Sequence, residues 1–456
     1  DNSTQYREEG SFQLKWGNII NAIRWNHLLS DKLFMNTTLR YSRYKFLVGV
    51  DMREIETTNN ISTEDFFSFA YHSGIEDWSG KIDFDYIPNP NNYIKFGFGN
   101  IYHTFSPGVN QIVETSATSA IDTSFGNANH YAHEFTTYLE DEFKLGNKIK
   151  GNLGLHFSGF IIGNKTYTSL QPRFSGRYLL DDNSSIKTSF ASMTQYLHLL
   201  TNSGIGMPTD LWLPATEQVA PQTSNQVAIG YARTFLNKFE LSLEGYYKTM
   251  NNLIEYKDGA SFYNSEENWQ DKIEIGKGWS YGGELLLEKK LGKTTGWIGY
   301  TLSWTDRQFE NLNFGDIYPY RYDRRHDIGI AITHEISDNI NFGIVWVYGT
   351  GNAVTLGLER YTSVIDYNSF MYGDEIIHIG SRNNYRMPSY HRLDISISFK
   401  KQMSWGERTW SFGLYNAYNR QNPFYLNFAY DNNNNRQLYQ YSLFPIIPSF
   451  NYAFKF

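Results

Sequence analysis

Leu393-Asp394-Ile395-Ser396-Ile397-Ser398-Phe399-Lys400 is the stretch whose reading decides the fold. Its odd-numbered residues are apolar and its even-numbered residues are polar or charged. Successive side chains of a β-strand point to opposite faces, so this period describes a strand with one dry face and one wet face. The same alternation recurs in Phe239, Leu241, Leu243 against Glu240, Ser242, Glu244, and in Ile298, Tyr300, Leu302, Trp304 against Gly299, Thr301, Ser303. It recurs again in Ile340, Phe342, Ile344, Trp346, Tyr348, where Val345 and Val347 depart from the polar set, and in Phe450, Tyr452, Phe454, Phe456. A strand of about 10 residues crosses a bilayer at a tilt, so many such strands point to a membrane barrel.

Composition supports that choice. The 456 residues include 35 Tyr, 32 Phe and 11 Trp, an aromatic share of 17% that suits a girdled membrane barrel. The mean hydropathy is nevertheless negative. A barrel reconciles the two, because only every second strand residue faces lipid. No run of about 18 apolar residues exists, which argues against helical spans. With no cysteine there is neither a disulfide framework nor thiol chemistry. A net charge of -7 disfavours nucleic acid as a partner. Asp1-Asn2-Ser3-Thr4 carries no signal peptide, so an exported protein is expected to have lost or to lack its start here.

Loop lengths separate a membrane barrel from a soluble sandwich. Short turns rich in Gly, Pro, Asn and Asp lie at Ser30-Asp31-Lys32, Pro88-Asn89-Pro90-Asn91, Leu145-Gly146-Asn147 and Asp181-Asp182-Asn183. Others lie at Asn237-Lys238, Gly292-Lys293-Thr294 and Ser337-Asp338-Asn339. Between them run long irregular connections, expected at Val48 to Thr63, Pro107 to Asn129, Thr201 to Gln222 and Thr350 to Arg386. Short turns on one side and long loops on the other are the asymmetry of an outer-membrane barrel, periplasmic and extracellular respectively. Counting runs between turns gives about 17 strands. The first (Phe12 to Leu28) and the last (Gln440 to Phe456) both run toward the short-turn side. Barrel strands close in even number, so an odd number of upstream strands is expected to be missing.

Five segments carry a family resemblance. Leu414-Tyr415-Asn416-Ala417-Tyr418-Asn419-Arg420-Gln421-Asn422-Pro423-Phe424 resembles the penultimate-strand motif of TonB-dependent receptors from Bacteroidetes. Leu443-Phe444-Pro445-Ile446-Ile447-Pro448-Ser449-Phe450, running to Phe456, is similar to their ending. Trp16-Gly17-Asn18, Pro208-Thr209-Asp210-Leu211-Trp212-Leu213-Pro214, and Tyr318-Pro319-Tyr320 leading into Tyr322-Asp323-Arg324-Arg325-His326-Asp327 are similar too. Together, in order, they span essentially the whole chain. The resemblance implies an all-β, transmembrane antiparallel β-barrel of 22 strands plugged by an N-terminal domain. Residues 1–456 would be one incomplete barrel domain matching roughly its last 17 strands, with the plug and first strands absent. It also implies integral residence in the bacterial outer membrane. The implied partners are outer-membrane lipid, the receptor's own plug, the TonB–ExbB–ExbD energising complex and a surface lipoprotein.

Catalytic constellations are lacking. There is no His-Glu-x-x-His, Gly-x-Ser-x-Gly or phosphate-binding loop, so the chain is not expected to be an enzyme. His133-Glu134 and His334-Glu335 read as luminal or interfacial pairs, and Glu240 with Glu244 as a solvated luminal face. The densest charge cluster is Arg321, Asp323, Arg324, Arg325, His326 and Asp327. It reads as an ion-pair network stiffening the wall or gripping the plug, ahead of an anion-binding mouth. Trp212, Asp210, Tyr263, Trp269, Tyr361 and Tyr372 are candidate ligand contacts in outer loops, because aromatics beside amides and carboxylates stack on and cradle bulky polar ligands. The alternative for the aromatics is loop packing or an interfacial girdle. Asp210 and Asp374 are of the type that ligates calcium, but no ligand count supports a site, so no metal and no cofactor is expected. Tyr452, Phe454 and Phe456 are candidate assembly-signal residues as well as closing residues. The expected function is energised uptake of a bulky nutrient. The competing readings are a receptor-like barrel serving as structural partner in a larger outer-membrane complex and, less well matched, an open porin or an outer-membrane enzyme.

Overall fold

The computed structural model describes residues 4–58, 61–116, 120–126, 129–201, 211–260, 268–357, 359–362, 375–378, 380–433 and 435–456. They form a nineteen-stranded antiparallel sheet with four short two-stranded ribbons. Two of the nineteen, Ala120–Gly126 and Tyr318–Pro319, are short additions at the long-loop end. The other seventeen pair consecutively as the wall. They are β1 (Thr4–Ser30), β2 (Leu33–Thr58), β3 (Ile61–Asn89), β4 (Asn92–Thr115), β5 (His130–Leu145) and β6 (Ile149–Ile162). Then come β7 (Lys165–Leu179), β8 (Ser184–Gln195), β9 (Gln222–Phe235), β10 (Phe239–Tyr256), β11 (Ile273–Lys289) and β12 (Thr294–Gln308). Last are β13 (His326–Ser337), β14 (Ile340–Gly349), β15 (Tyr390–Met403), β16 (Gly406–Tyr415) and β17 (Ile447–Lys455). Among the described residues no pairing joins β1 to β17.

Register turns local alternation into a two-faced wall. Leu241 pairs with Leu287, Leu287 with Ile298, Ile298 with Ile330, Ile330 with Trp346, and Trp346 with Leu393. Residues directly opposite in a ladder share a face, so six strands lay one continuous apolar row. Ile397, Phe412 and Phe450 continue the same face at the far edge. On the other face Glu244, Glu284, Thr301 and Asp327 align. A slip of one residue in any strand would carry its charges onto the apolar face. Aromatics cluster at the upper margin of the apolar face: Tyr41 packs on Trp78 at 4.6 Å, and Tyr102 on His133 at 4.9 Å. The polar face carries its own lattice, with Tyr93 donating to Asp85 at 2.5 Å, Tyr138 to Asp83 at 2.6 Å, and Lys95 to Glu142 at 2.9 Å.

Several boundaries differ from expectation. Val48 to Thr63 is not an irregular loop; β2 and β3 stay paired up to Thr58 and Ile61. Pro107 to Asn129 likewise continues β4 to Thr115, which pairs with Ala120–Gly126. Both segments hold enough Thr, Ile and Val to keep a ladder once the strands below set the register. The last strand is shorter than expected. Arg436–Ser442 pairs instead with Pro423–Tyr430 in a separate hairpin, and β17 begins at Ile447. Phe444 at φ 60° and Pro445 break the ladder between them. His133 and Glu134 are not one pair: His133 packs on Tyr102 on the apolar face, while Glu134 turns to the polar face, 3.5 Å from His103.

Candidate functional site at the long-loop end

The described parts of the long connections fold across the polar face and build a packed layer over the wall. The connection after β8 sends the hairpin Leu197–Leu200 and Leu211–Pro214 onto the inner side of β2 and β3. Leu200 and Leu213 are fully buried there against Phe46, Val48 and Tyr71 from the wall, with Ile254, Tyr256 and Trp269 from the β10–β11 region. A second cluster joins Phe105, Phe160, Tyr196 and Ala215. Each fully buried Leu or Phe contributes about 1.5–3 kcal/mol, enough to hold a polar loop down. His198, in this hairpin, is fully buried and its Nδ1 lies 3.0 Å from the Gln222 side-chain nitrogen. Burial disfavours its cation and pushes its pKa down to about 4.

Two buried carboxylates organise the rest of the layer. Glu255, at the top of β10, is 2% exposed. It accepts from the Tyr318 hydroxyl at 2.6 Å and from Arg382 Nε at 2.9 Å, and Arg307 Nη1 lies 3.6 Å away. Arg382 also donates to Asp258 at 2.6 Å and to the Tyr256 carbonyl at 2.9 Å, while its own backbone N–H donates to Asn313 at 2.7 Å. Arg307 lies over the Tyr320 ring at 3.6 Å. Burial, followed by the Glu255 charge, holds the Tyr318 hydroxyl well above the ordinary phenol range. Asp323, whose side chain is fully buried, is the second hub. It accepts from the Thr305 backbone N–H at 2.7 Å and from Arg386, and Arg325 lies at 3.6 Å. The described residues of the connections after β10, β12 and β14 are thereby tied to one another by charge-assisted bonds made out of water.

The sequence-derived candidates divide accordingly. Asp323 lies 3.6 Å from Arg325, and Arg324 pairs with Asp327 at 3.3 Å on the exposed surface. Arg321 is buried, its guanidinium 5.8 Å from the Tyr322 ring. Trp269 is 4% exposed and supports the layer from beneath, so its ring is not offered to a ligand. Trp212 is 37% exposed at the tip of the inward hairpin and can present its ring. Asp210, Tyr263, Tyr372, Asp374 and the Tyr361 side chain lie outside the described residues. Tyr452 packs on Trp410 at 4.6 Å and Phe454 on Trp405 at 4.8 Å, while Phe456 is 99% exposed beyond β17. Among the described residues no cluster of His, Asp or Glu has the makings of a metal site. Glu255, Arg307, Arg382 and Arg386 were not anticipated. Glu255 and Arg382 are 127 residues apart, and no local motif announces either.

Comparison with known proteins adds to this geometry. The family described as "TonB dependent receptor-like, beta-barrel" matches residues 1–420. No curated protein matches by sequence. Among solved structures, the ferric yersiniabactin uptake receptor FyuA from Yersinia pestis superposes with a TM-score of 0.55 at 11% identity, over 98% of this chain and 71% of that one. The ferric preacinetobactin receptor BauA from Acinetobacter baumannii gives 0.54 at 11% identity, over 98% and 64%. The FrpB iron transporter from Neisseria meningitidis gives 0.53 at 11% identity, over 90% and 68%. At such identities the likeness is one of fold, shared with proteins that are transporters and receptors. A wall of in-phase strands, a capping loop layer and a family match over most of the residues agree: this chain belongs to the TonB-dependent receptor β-barrel family.

Proposed function

We propose that this chain forms the wall and outer loops of a transporter of the Bacteroidetes type that takes up a bulky nutrient across the bacterial outer membrane. One observation carries the reading: seventeen wall strands present a polar, charged inner face. A barrel of about eight strands fills its interior with its own side chains, whereas one this wide encloses an aqueous lumen that must be plugged to be selective. A plug domain of the same receptor fills that lumen, and the TonB–ExbB–ExbD complex moves it. Outer-leaflet lipid surrounds the apolar face. The rigid loop layer frames the mouth, with Trp212 as its ligand-facing aromatic, and a surface lipoprotein is a candidate cover. No chemical transformation is assigned to this chain.

The test is uptake in cells carrying the full-length receptor. Labelled candidate nutrients (glycans, peptides, metal chelates, vitamins) should enter with the receptor present and stop on its deletion or on collapse of the proton gradient. Surface binding should survive that collapse. If deletion leaves all uptake unchanged but dissolves an outer-membrane complex, the structural-partner reading replaces this one.

A further inference from the structure

The apolar face of the wall does not end cleanly at its upper aromatic margin. Directly above Tyr41, Trp78 and Tyr102, on the same face, lies a cavity of about 620 Å³. Facing follows from register and burial. Phe46 and Val48 are buried on the inner side of β2, so Arg43 and Lys45 project outward. Register places Gly17 of β1 and Gly74 of β3 on either side of Lys45, so two residues without side chains flank the cation and leave the depression. A side chain at Gly74 would meet the Tyr44 carbonyl at 2.7 Å, and the ladder between β3 and β4 shifts register there. Lys15 adds a third cation beside Leu47. Among the described residues Lys15, Arg43 and Lys45 form no close salt bridge, although Glu76 stands opposite Arg43 in the ladder and the Lys15 charge acts on Asp51.

Height identifies what meets this groove. From Tyr86 to Trp78 the strand climbs about 20 Å at ~3.3 Å per residue and ~40° tilt, close to the ~25 Å apolar band of an outer-membrane barrel. The groove opens just above that band, at the level of lipid headgroups, and it opens toward the lipid rather than the lumen. Three cations around a depression whose lining holds one carboxylate, Glu76, give a net positive site that recognises phosphate, to which Arg bonds in a bidentate fork. Glu76 and Thr104 at the rim suit sugar hydroxyls.

We infer that this groove is a binding site for the phosphorylated sugar headgroup of an outer-leaflet glycolipid. The inference rests on the outer-membrane reading above and goes beyond it by assigning a lipid to named residues. The test uses the full-length receptor in phosphatidylethanolamine nanodiscs. The probes are a bisphosphorylated glucosamine-disaccharide lipid, its dephosphorylated form and inorganic phosphate. The wild type should bind the phosphorylated lipid at least tenfold tighter than the dephosphorylated one. Lys15→Gln/Arg43→Gln/Lys45→Gln should lose that preference, and Lys45→Arg should keep it. If the triple variant does not insert, Arg43→Gln/Lys45→Gln carries the same test. An unchanged preference in a correctly inserted variant overturns the inference, as does displacement of the lipid by equimolar inorganic phosphate, which would mark a free-phosphate site. Normal insertion and uptake alongside such a result would leave the transport reading standing.

Discussion

Glu255→Gln should unfasten the loop layer while leaving the wall intact. The carboxylate is buried and neutralises two arginines whose side chains are 9% and 6% exposed. Removing one partner of a buried ion pair costs about 3–5 kcal/mol, because the other charge is left uncompensated. Here the cost falls near the lower end. Arg382 keeps Asp258 at 2.6 Å and the Tyr256 carbonyl at 2.9 Å, and the amide oxygen of Gln can still accept from Tyr318. About 3 kcal/mol corresponds to roughly a hundredfold shift in a local opening equilibrium. The assay is hydrogen exchange by mass spectrometry on the reconstituted full-length receptor. Peptides covering 309–325 and 380–387 should exchange about a hundredfold faster, and peptides within β11 should not change. Adding Arg382→Met removes the stranded charge and should recover part of the protection. Exchange within twofold of wild type in both loop segments would refute the claim that Glu255 holds the layer.

Three further outcomes follow from the same structure. Ile330→Arg places a cation in the middle of the apolar row and should destabilise the inserted barrel by about 2–4 kcal/mol in urea unfolding from vesicles, whereas Thr333→Arg on the opposite face should cost far less; equal costs would contradict the two-faced wall. His198 is held neutral with its pKa near 4, below the ~6.5 of an unfolded histidine, so the unfolded state takes up the proton first as pH falls. The hairpin's protection should therefore be unaffected above about pH 6.5 and weaken by about 2 kcal/mol at pH 5, and His198→Gln should abolish that dependence; a pH-independent hairpin would contradict the burial. Deleting Phe456, which is almost fully exposed, removes little packing, so a several-fold fall in surface-assembled receptor would mark it as an assembly signal and normal assembly would remove that role.

The wall was legible because its signal is local. Alternation in Leu393–Lys400 or Phe239–Glu244 reports on each strand alone, and turn residues mark where each ends. Strand ends were misread where pairing decides them. Val48 to Thr58 stays extended because Ile61–Tyr71 pairs with it, which neither segment reveals by itself. At the other edge, Tyr439 and Tyr441 show a similar alternation, one residue out of phase with that of β17, and Phe444 at positive φ with Pro445 separates the two. The charge cluster around Asp323 was visible because its members are adjacent in sequence. Glu255 was not, because its need for a counter-charge is met by Arg382 from a distant loop. A buried carboxylate states that need in three dimensions and leaves no mark in one.

The chain's alternation separates a lipid face from a wet face. With no native cysteine, single-cysteine scanning reads it cleanly. In outer membranes holding the full-length receptor, cysteines at Asp394, Ser396 and Ser398 should react with a water-soluble maleimide. Those at Ile395, Ile397 and Phe399 should resist it, and a fluorophore attached there after unfolding and reinsertion should be quenched by lipid-borne nitroxide. Uniform reactivity along the strand, or quenching at both sets of positions, would contradict the account.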